Sequence, residues 1–229
     1  MDRVSTGIFG LDEMLEGGFP KGRAVLIAGE PGSGKTTFGL QFLMKGVQAG
    51  EPGVFVSLDE TVEHVEEDMA AYGWNFRAAM KDRKFDFIDM IPTRFIELKL
   101  DGVLHLITER VKSLRATRAV VDPITAFLFT EKDEYQRRLH LIRIFETLSS
   151  LGCTSLITTT LGARLHDEFS AEEYLSHGVV RMRLTTSATG AVRAMQVPKM
   201  RGINHDKAIH PYVFQGGKGL VVYPKEAVL

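Results

Sequence analysis

The sequence predicts an α/β fold: a mostly parallel sheet flanked by helices, with an antiparallel C-terminal extension. Three observations predict it. Through residue 159, apolar runs of strand length alternate with amphipathic stretches of helix length. Those runs read as buried strands, as expected of a mostly parallel sheet covered on both faces. After about residue 177 the pattern turns to short alternating segments separated by glycine-containing turns.

The elements follow in order. "RAVLIAG" (23–29), "GVFVSL" (53–58), "FDFIDM" (85–90), "RAVVDP" (118–123) and "CTSLITT" (153–159) read as buried strands. Helical patterns fill 35–49, 61–72, 101–115 and 134–150. In the last, Leu139, Ile142, Phe145 and Leu148 are expected to form the buried stripe, with Arg137, Arg138 and Glu146 outside it. Strand–helix alternation implies right-handed crossovers. "VVRMRLT", "AVRAMQVP", "YVFQG" and "LVVYP" extend the same sheet, with turns at "SATGA" and "GGKG". No internal repeat or low-complexity linker interrupts the chain, so residues 1–229 are expected to form one domain.

Composition bounds the function. With 229 residues, 44% of them hydrophobic, the chain can build an ample core. A net charge of −1 points to neither nucleic acid nor an anionic membrane surface. Cys153 is the lone cysteine, so no intramolecular disulfide is possible and a reducing, cytoplasmic setting is expected. No apolar run reaches the length of a membrane span. Charge is uneven, however. Residues 51–68 carry seven carboxylates and no Lys or Arg, whereas 181–207 carry Arg181, Arg183, Arg193, Lys199, Arg201 and Lys207 against Asp206. These are either two solvated faces or the two halves of a head-to-tail contact.

The chemistry-bearing stretch is "GEPGSGKTT": Gly29, Glu30, Pro31, Gly32, Ser33, Gly34, Lys35, Thr36 and Thr37. It matches G-x-x-x-x-G-K-[ST] in full and lies between a strand and a helix, the context in which the motif binds phosphate. Glycines let successive N–H groups turn inward on an anion, and the helix N-terminus adds a favourable dipole. Lys35 is placed for the β- and γ-phosphates of ATP, and the Thr36 hydroxyl for Mg²⁺. Asp122, at the C-terminal edge of a strand expected beside the loop strand, is placed to hold the same Mg²⁺ through water. Asp59 and Glu60 follow "GVFVSL". Successive strand-end side chains diverge, so one of the two faces the γ-phosphate, where a carboxylate orients or deprotonates water. Thr159, or equally Thr158 or Thr160, could present a hydroxyl to the γ-phosphate. The seven histidines, His64 and His140 among them, show no metal-binding spacing.

With these residues placed, the chain resembles a single-domain member of the KaiC-like branch of the RecA/RadA ATPase superfamily. The resemblance runs nearly end to end: "STGIFGLDEMLEGGFPKG" (5–22), "GEPGSGKT", "FVSLDET", "VVD" and "KMRGINHDKAIHPYVF" (199–214). It implies a RecA-like P-loop NTPase core and a homo-oligomeric ring, usually of six, with ATP at each interface. It also implies trans-acting Lys199 and Arg201 on the neighbour's γ-phosphate, and His205 and Lys207 against sugar or base. Two departures stand out. The family pattern at 59–60 is usually Glu-Glu, and here the first is Asp59, which points to slow hydrolysis or reliance on Glu60. Glu173 and Tyr174 occupy the positions of the clock domain's phosphorylated Ser-Thr pair, so self-phosphorylation is not implied, and with one ATPase domain neither is an oscillator.

The function expected is Mg²⁺-dependent ATP hydrolysis serving as a regulatory or assembly switch, through a protein partner the sequence does not identify. One alternative is a DNA-binding recombination ATPase. Its strand-binding loops would be 123–134 and 160–173. The first has Glu131, Asp133 and Glu134 against Lys132, and the second Asp167, Glu168, Glu172 and Glu173 against Arg164. Carboxylates oppose a phosphate backbone, and the short stretch before the first strand leaves no room for an added DNA-binding domain. The other alternative is a nucleotide sensor that hardly hydrolyses.

Overall fold

A computed structural model describes residues 2–91, 100–128, 131–161, 169–187 and 190–228, and the side chains of all of these but 186 and 187. Within the two loops proposed for DNA, Phe129, Thr130, Arg164, Asp167 and Glu168 lie outside the described residues.

A short hairpin pairs β1 (Arg3–Val4) with β2 (Phe19–Pro20) around α1 (Leu11–Met14). The Asp12 carboxylate ties this entry segment together, accepting from the Thr6 amide at 2.8 Å and from the Ser5 and Thr6 hydroxyls at 2.6 Å each. Next come β3 (Ala24–Gly29), α2 (Lys35–Gln48), β4 (Gly53–Ser57) and α3 (Val62–Met69), the last running into a single 3₁₀ turn at Ala70–Tyr72. Then follow α4 (Phe76–Lys81), β5 (Phe85–Asp89), α5 (Leu100–Leu114), β6 (Arg118–Asp122), α6 (Thr125–Leu128), α7 (Glu134–Ser150), β7 (Thr154–Thr160) and α8 (Ala171–Leu175). Four strands close the chain: β8 (Gly178–Ser187), β9 (Gly190–Met200), β10 (Ile209–Gln215) and β11 (Gly219–Val222).

Among the described residues β3 to β11 form one nine-stranded sheet in the order β11-β10-β9-β8-β3-β7-β6-β4-β5. The strands from β8 to β5 in that order run parallel, and β9, β10 and β11 continue antiparallel. β8 is therefore the hinge of the topology, parallel to β3 and antiparallel to β9. Period-two alternation splits each core strand between two faces. Val25, Ile27, Phe55 and Val120 join Phe38 and Phe42 of α2 on one face. Leu26, Val54, Val56 and Val121 join α5 and α7 on the other.

Two expectations need correction. In α7 the buried residues are Leu141, Ile144, Phe145 and Leu148, and Leu139 and Ile142 are half-buried. Equal three-residue steps drift about 60° each around a helix of 3.6 residues per turn, so they leave the core face; steps of three and four hold it. Secondly, β6 does not adjoin β3: β7 lies between them. Asp122 is thus one strand further from the loop than expected. No helix among the described residues is long and apolar enough to cross a membrane.

Candidate functional site

The Gly29–Thr36 loop joins β3 to α2 at the C-terminal end of the parallel strands. Gly34 caps α2 with φ 91°, and a Cβ there would stand 2.2 Å from the Phe214 ring, so only glycine fits. Gly32, at φ 75°, has open space where a Cβ would point. The loop borders a pocket of about 380 Å³ lined by Gly32, Gly34, Lys35, Thr36, Thr37, Glu60, Asp68, Met69, Tyr72 and Phe214. Glu30 is turned elsewhere, its carboxylate accepting from the Leu184 amide at 3.1 Å. Pro31 is exposed.

Lys35 folds back over its own loop. Its Nζ donates to the carbonyls of Gly29 at 3.0 Å and Glu30 at 2.9 Å. Burial pulls its pKa down, while the charges of Asp122 and Glu30 act in the opposite sense. Asp122 is buried at the end of β6 and accepts hydrogen bonds from Thr36 and Thr158. Thr158 belongs to the intervening strand β7, and Asp122 is joined to the loop by its own hydrogen bond with Thr36. Burial raises the Asp122 pKa, opposed by the Thr158 and Thr36 hydrogen bonds and by the Lys35 charge. Thr159 is buried and Thr160 exposed.

The strand-end pair diverges. Glu60 lines the pocket, whereas Asp59 is exposed and outside the lining. A tight turn sets this: the Ser57 hydroxyl donates to the Glu60 carbonyl at 2.5 Å and accepts from its amide at 3.0 Å. Burial raises the Glu60 pKa, and Asp122, Asp68 and Asp59 raise it further. Lys35, Thr36 and Glu60 thus share one pocket, with Asp122 bonded to Thr36 just behind it.

The residues fit a magnesium nucleotide. The loop presents an open glycine nest, Lys35 a cation bonded to exchangeable backbone carbonyls, and Thr36 with Asp122 a hydroxyl–carboxylate pair of hard oxygen donors. Lys199, Arg201, His205 and Lys207 do not line this pocket. Lys199 donates to the carbonyls of Glu173 at 2.7 Å and Tyr174 at 2.9 Å, and burial, then Arg201, lower its pKa to about 8. Arg201 and Lys207 are exposed, and His205 is half-buried, its Nδ1 3.4 Å from the Ile203 carbonyl. The basic stretch is also less free than its charge count implies. Arg181 is buried in an ion pair with Glu173, and Arg193 stacks on the Phe214 ring. Glu173 is thereby committed to a buried pair.

Sequence reasoning did not pick out Asp68, Met69, Tyr72, Tyr212 or Phe214. Asp68 was hidden in the acidic run. Tyr212 and Phe214 stand two apart in "YVFQG", and period two places them on one face without saying what that face meets.

A family model described as "ATPase: KaiC" matches residues 4–227. The chain belongs to the KaiC ATPase family. It is 34% identical to a UPF0273 protein of Thermotoga maritima, over 98% of this chain and 97% of that one. It is 32% identical to the circadian clock protein KaiC3 of Synechocystis sp., over 100% of this chain and 47% of that longer protein. The crystal structure of a KaiC-like protein from Pyrococcus horikoshii superposes with a TM-score of 0.86 at 35% identity, covering 97% of this chain and 99% of the other. Membership in this RecA-like family supports nucleotide binding and hydrolysis as the activity of the fold.

Proposed function

We propose that this KaiC-family chain is one cytoplasmic ATPase domain that binds Mg·ATP in the Gly29–Thr36 loop and hydrolyses it, acting as a regulatory or assembly switch within a ring. The convergence of Lys35, Thr36, Asp122 and Glu60 at the C-terminal ends of β3, β6 and β4 carries this reading. Backbone amides of the loop and the Lys35 ammonium hold the phosphates, with Lys35 exchanging its two carbonyls for phosphate oxygens. Thr36, backed by Asp122, would hold Mg²⁺, which supplies charge neutralisation on the β- and γ-oxygens when bound. Glu60, rather than Asp59, orients and accepts a proton from the attacking water. A base is best served by a pKa moved toward neutrality, the direction in which burial and neighbouring carboxylates move Glu60.

Lys199 and Arg201 are assigned to the nucleotide of the adjacent subunit, with His205 and Lys207 beside them. Their absence from the chain's own pocket supports a role in trans. The deciding experiment measures Mg·ATP affinity by calorimetry, phosphate release and native mass together, with and without single-stranded DNA. Binding that is lost in a folded Lys35→Ala protein, and turnover in the wild type, are expected. A wild-type chain that binds without turnover is a sensor, and DNA-stimulated turnover returns the recombination reading.

A further inference from the structure

The phosphate loop is held by a strand that enters the chain almost 180 residues later. The buried Tyr212 of β10 donates its hydroxyl to the Ser33 carbonyl at 2.7 Å. Two residues on, the Phe214 ring lies against the Cα of Gly34, so close that a Cβ would meet its tip at 2.2 Å. The two rings stack edge to face, 6.0 Å between centroids at 87°, and Arg193 covers Phe214 at 5.1 Å. The strand pair is itself fastened to the helix that the loop opens. Gln41 of α2 accepts from the Leu220 amide at 2.7 Å and donates to the Lys218 and Leu220 carbonyls at 3.2 Å each.

A trans peptide unit is planar, with its C=O and N–H pointing in opposite directions. A donor that fixes the Ser33 carbonyl on one side therefore fixes the Gly34 N–H on the other. We propose that Tyr212 is a positioning residue of the phosphate site: by anchoring the Ser33 carbonyl it aims the Gly34 N–H into the nest, with the Phe214 ring packed against Gly34. The proposal rests on the nucleotide reading above. Glycine at 34 is demanded by the nest, yet it leaves the loop the most freedom to rearrange. The brace removes that freedom before any anion arrives, so less ordering is left for binding to oppose. A phenylalanine would fill the same space but leave a buried carbonyl without its donor.

The test compares Tyr212→Phe with wild type for two ligands, Mg·ATP and inorganic tripolyphosphate, by calorimetry well below both melting temperatures. Tripolyphosphate has no base or sugar, so it reports the nest alone. Both affinities are expected to weaken by the same factor, roughly fivefold, the worth of one neutral hydrogen bond. Unchanged affinities for both ligands, with or without a lower melting temperature, would make Tyr212 a plain core residue and overturn the proposal. So would loss for Mg·ATP alone, which would place Tyr212 against the base. If Tyr212→Phe does not fold, the wild type carries the test: the Gly34 amide resonance is expected to shift as tripolyphosphate saturates the site, and an unmoved Gly34 resonance in protein that binds tripolyphosphate refutes the brace. Failure of the wild type to bind either ligand would refute the nucleotide reading itself, a result distinct from wild-type binding that Tyr212→Phe leaves intact.

Discussion

Arg201→Ala tests whether the "KMRG" segment serves the neighbouring subunit. In the sheet, Val25 lies opposite Gly178 and Gly29 opposite Met182. The Arg201 amide bonds to the His177 carbonyl, before β8 begins. Arg201 therefore starts at least four residues back along the strand from the loop, roughly 13 Å at the rise of a β-strand, and the chain's own phosphates lie beyond it. A cation placed on the γ-phosphate in trans is worth about 10³-fold or more in turnover, so Arg201→Ala is expected to bind Mg·ATP and lose at least that much activity. Lys35→Ala is expected to be inactive for a different reason, since it lacks the cation proposed for the phosphates. Mixing the two is decisive. An interface works when its loop comes from an Arg201→Ala subunit and its arginine from a Lys35→Ala subunit. With random exchange at equal amounts, that is about a quarter of interfaces in a heterologous ring. Recovery to about a quarter of wild-type phosphate release is expected against a background about a thousandfold lower. With exchange demonstrated by native mass, no recovery at any ratio would refute the trans assignment and leave "KMRG" as a basic strand end.

Glu60→Gln is expected to keep Mg·ATP affinity and lose about 10²-fold or more in turnover, whereas Asp59→Asn changes turnover by no more than a few-fold; equal losses in single-turnover assays would return the pair to an undivided role. Because the Glu60 pKa is raised, protonation on acidification begins at a higher pH than for an ordinary carboxylate, so wild-type turnover falls in that window and a pH–rate profile reads the limb directly. Gly34→Ala places a Cβ at φ 91° and 2.2 Å from Phe214; left-handed strain plus overpacking should cost about 2–4 kcal/mol in urea unfolding, and Phe214→Ala in the same chain should restore part of it. The Lys199 amine, lowered to about 8 from 10.5, holds fewer protons folded than unfolded between those values. Stability should therefore rise as pH climbs from about 8 toward 9, above which the raised Cys153 thiol opposes it; the test is the difference between wild type and Lys199→Met, and identical profiles for the two would contradict it.

The sheet was legible because its strands are covered on both faces, and burial of that kind writes itself as unbroken apolar runs such as "AVLIAG" and "RAVVD". The phosphate loop was legible for a different reason: its glycines and lysine are dictated by local backbone geometry, which a contiguous motif records. What escaped was set by packing between distant segments. The order of β7 and β6 beside β3 depends on crossovers that periodicity does not specify, and with it went the expected adjacency of Asp122. α4, α6 and α8 span 6, 4 and 5 residues, too short for a 3.6-residue period to show. The choice between Asp59 and Glu60 turned on a Ser57 hydroxyl that folds the chain back on itself.

On the proposed reading the site has two halves, and their placement constrains how they work together. The loop, Glu60 and Asp122 gather at one end of the parallel strands, and Lys199 and Arg201 lie at the other end of β3 and β8. One copy cannot bring its own two halves onto one nucleotide; on the proposed reading, only a head-to-tail neighbour supplies the missing cations, and such contacts close into a ring when the rotation permits. The link within each copy is covalent. Residues 201–208 lead straight into β10, and β10 carries Tyr212 and Phe214 onto the loop. A pull on Arg201 from the neighbour's nucleotide would therefore reach the strand that presets the chain's own nest within about ten residues of backbone, roughly 33 Å at full extension. If that path transmits, Tyr212→Phe should loosen the dependence of one site on occupancy of the next as well as weaken binding. A Hill coefficient for Mg·ATP unchanged in Tyr212→Phe would mean that the brace sets affinity only.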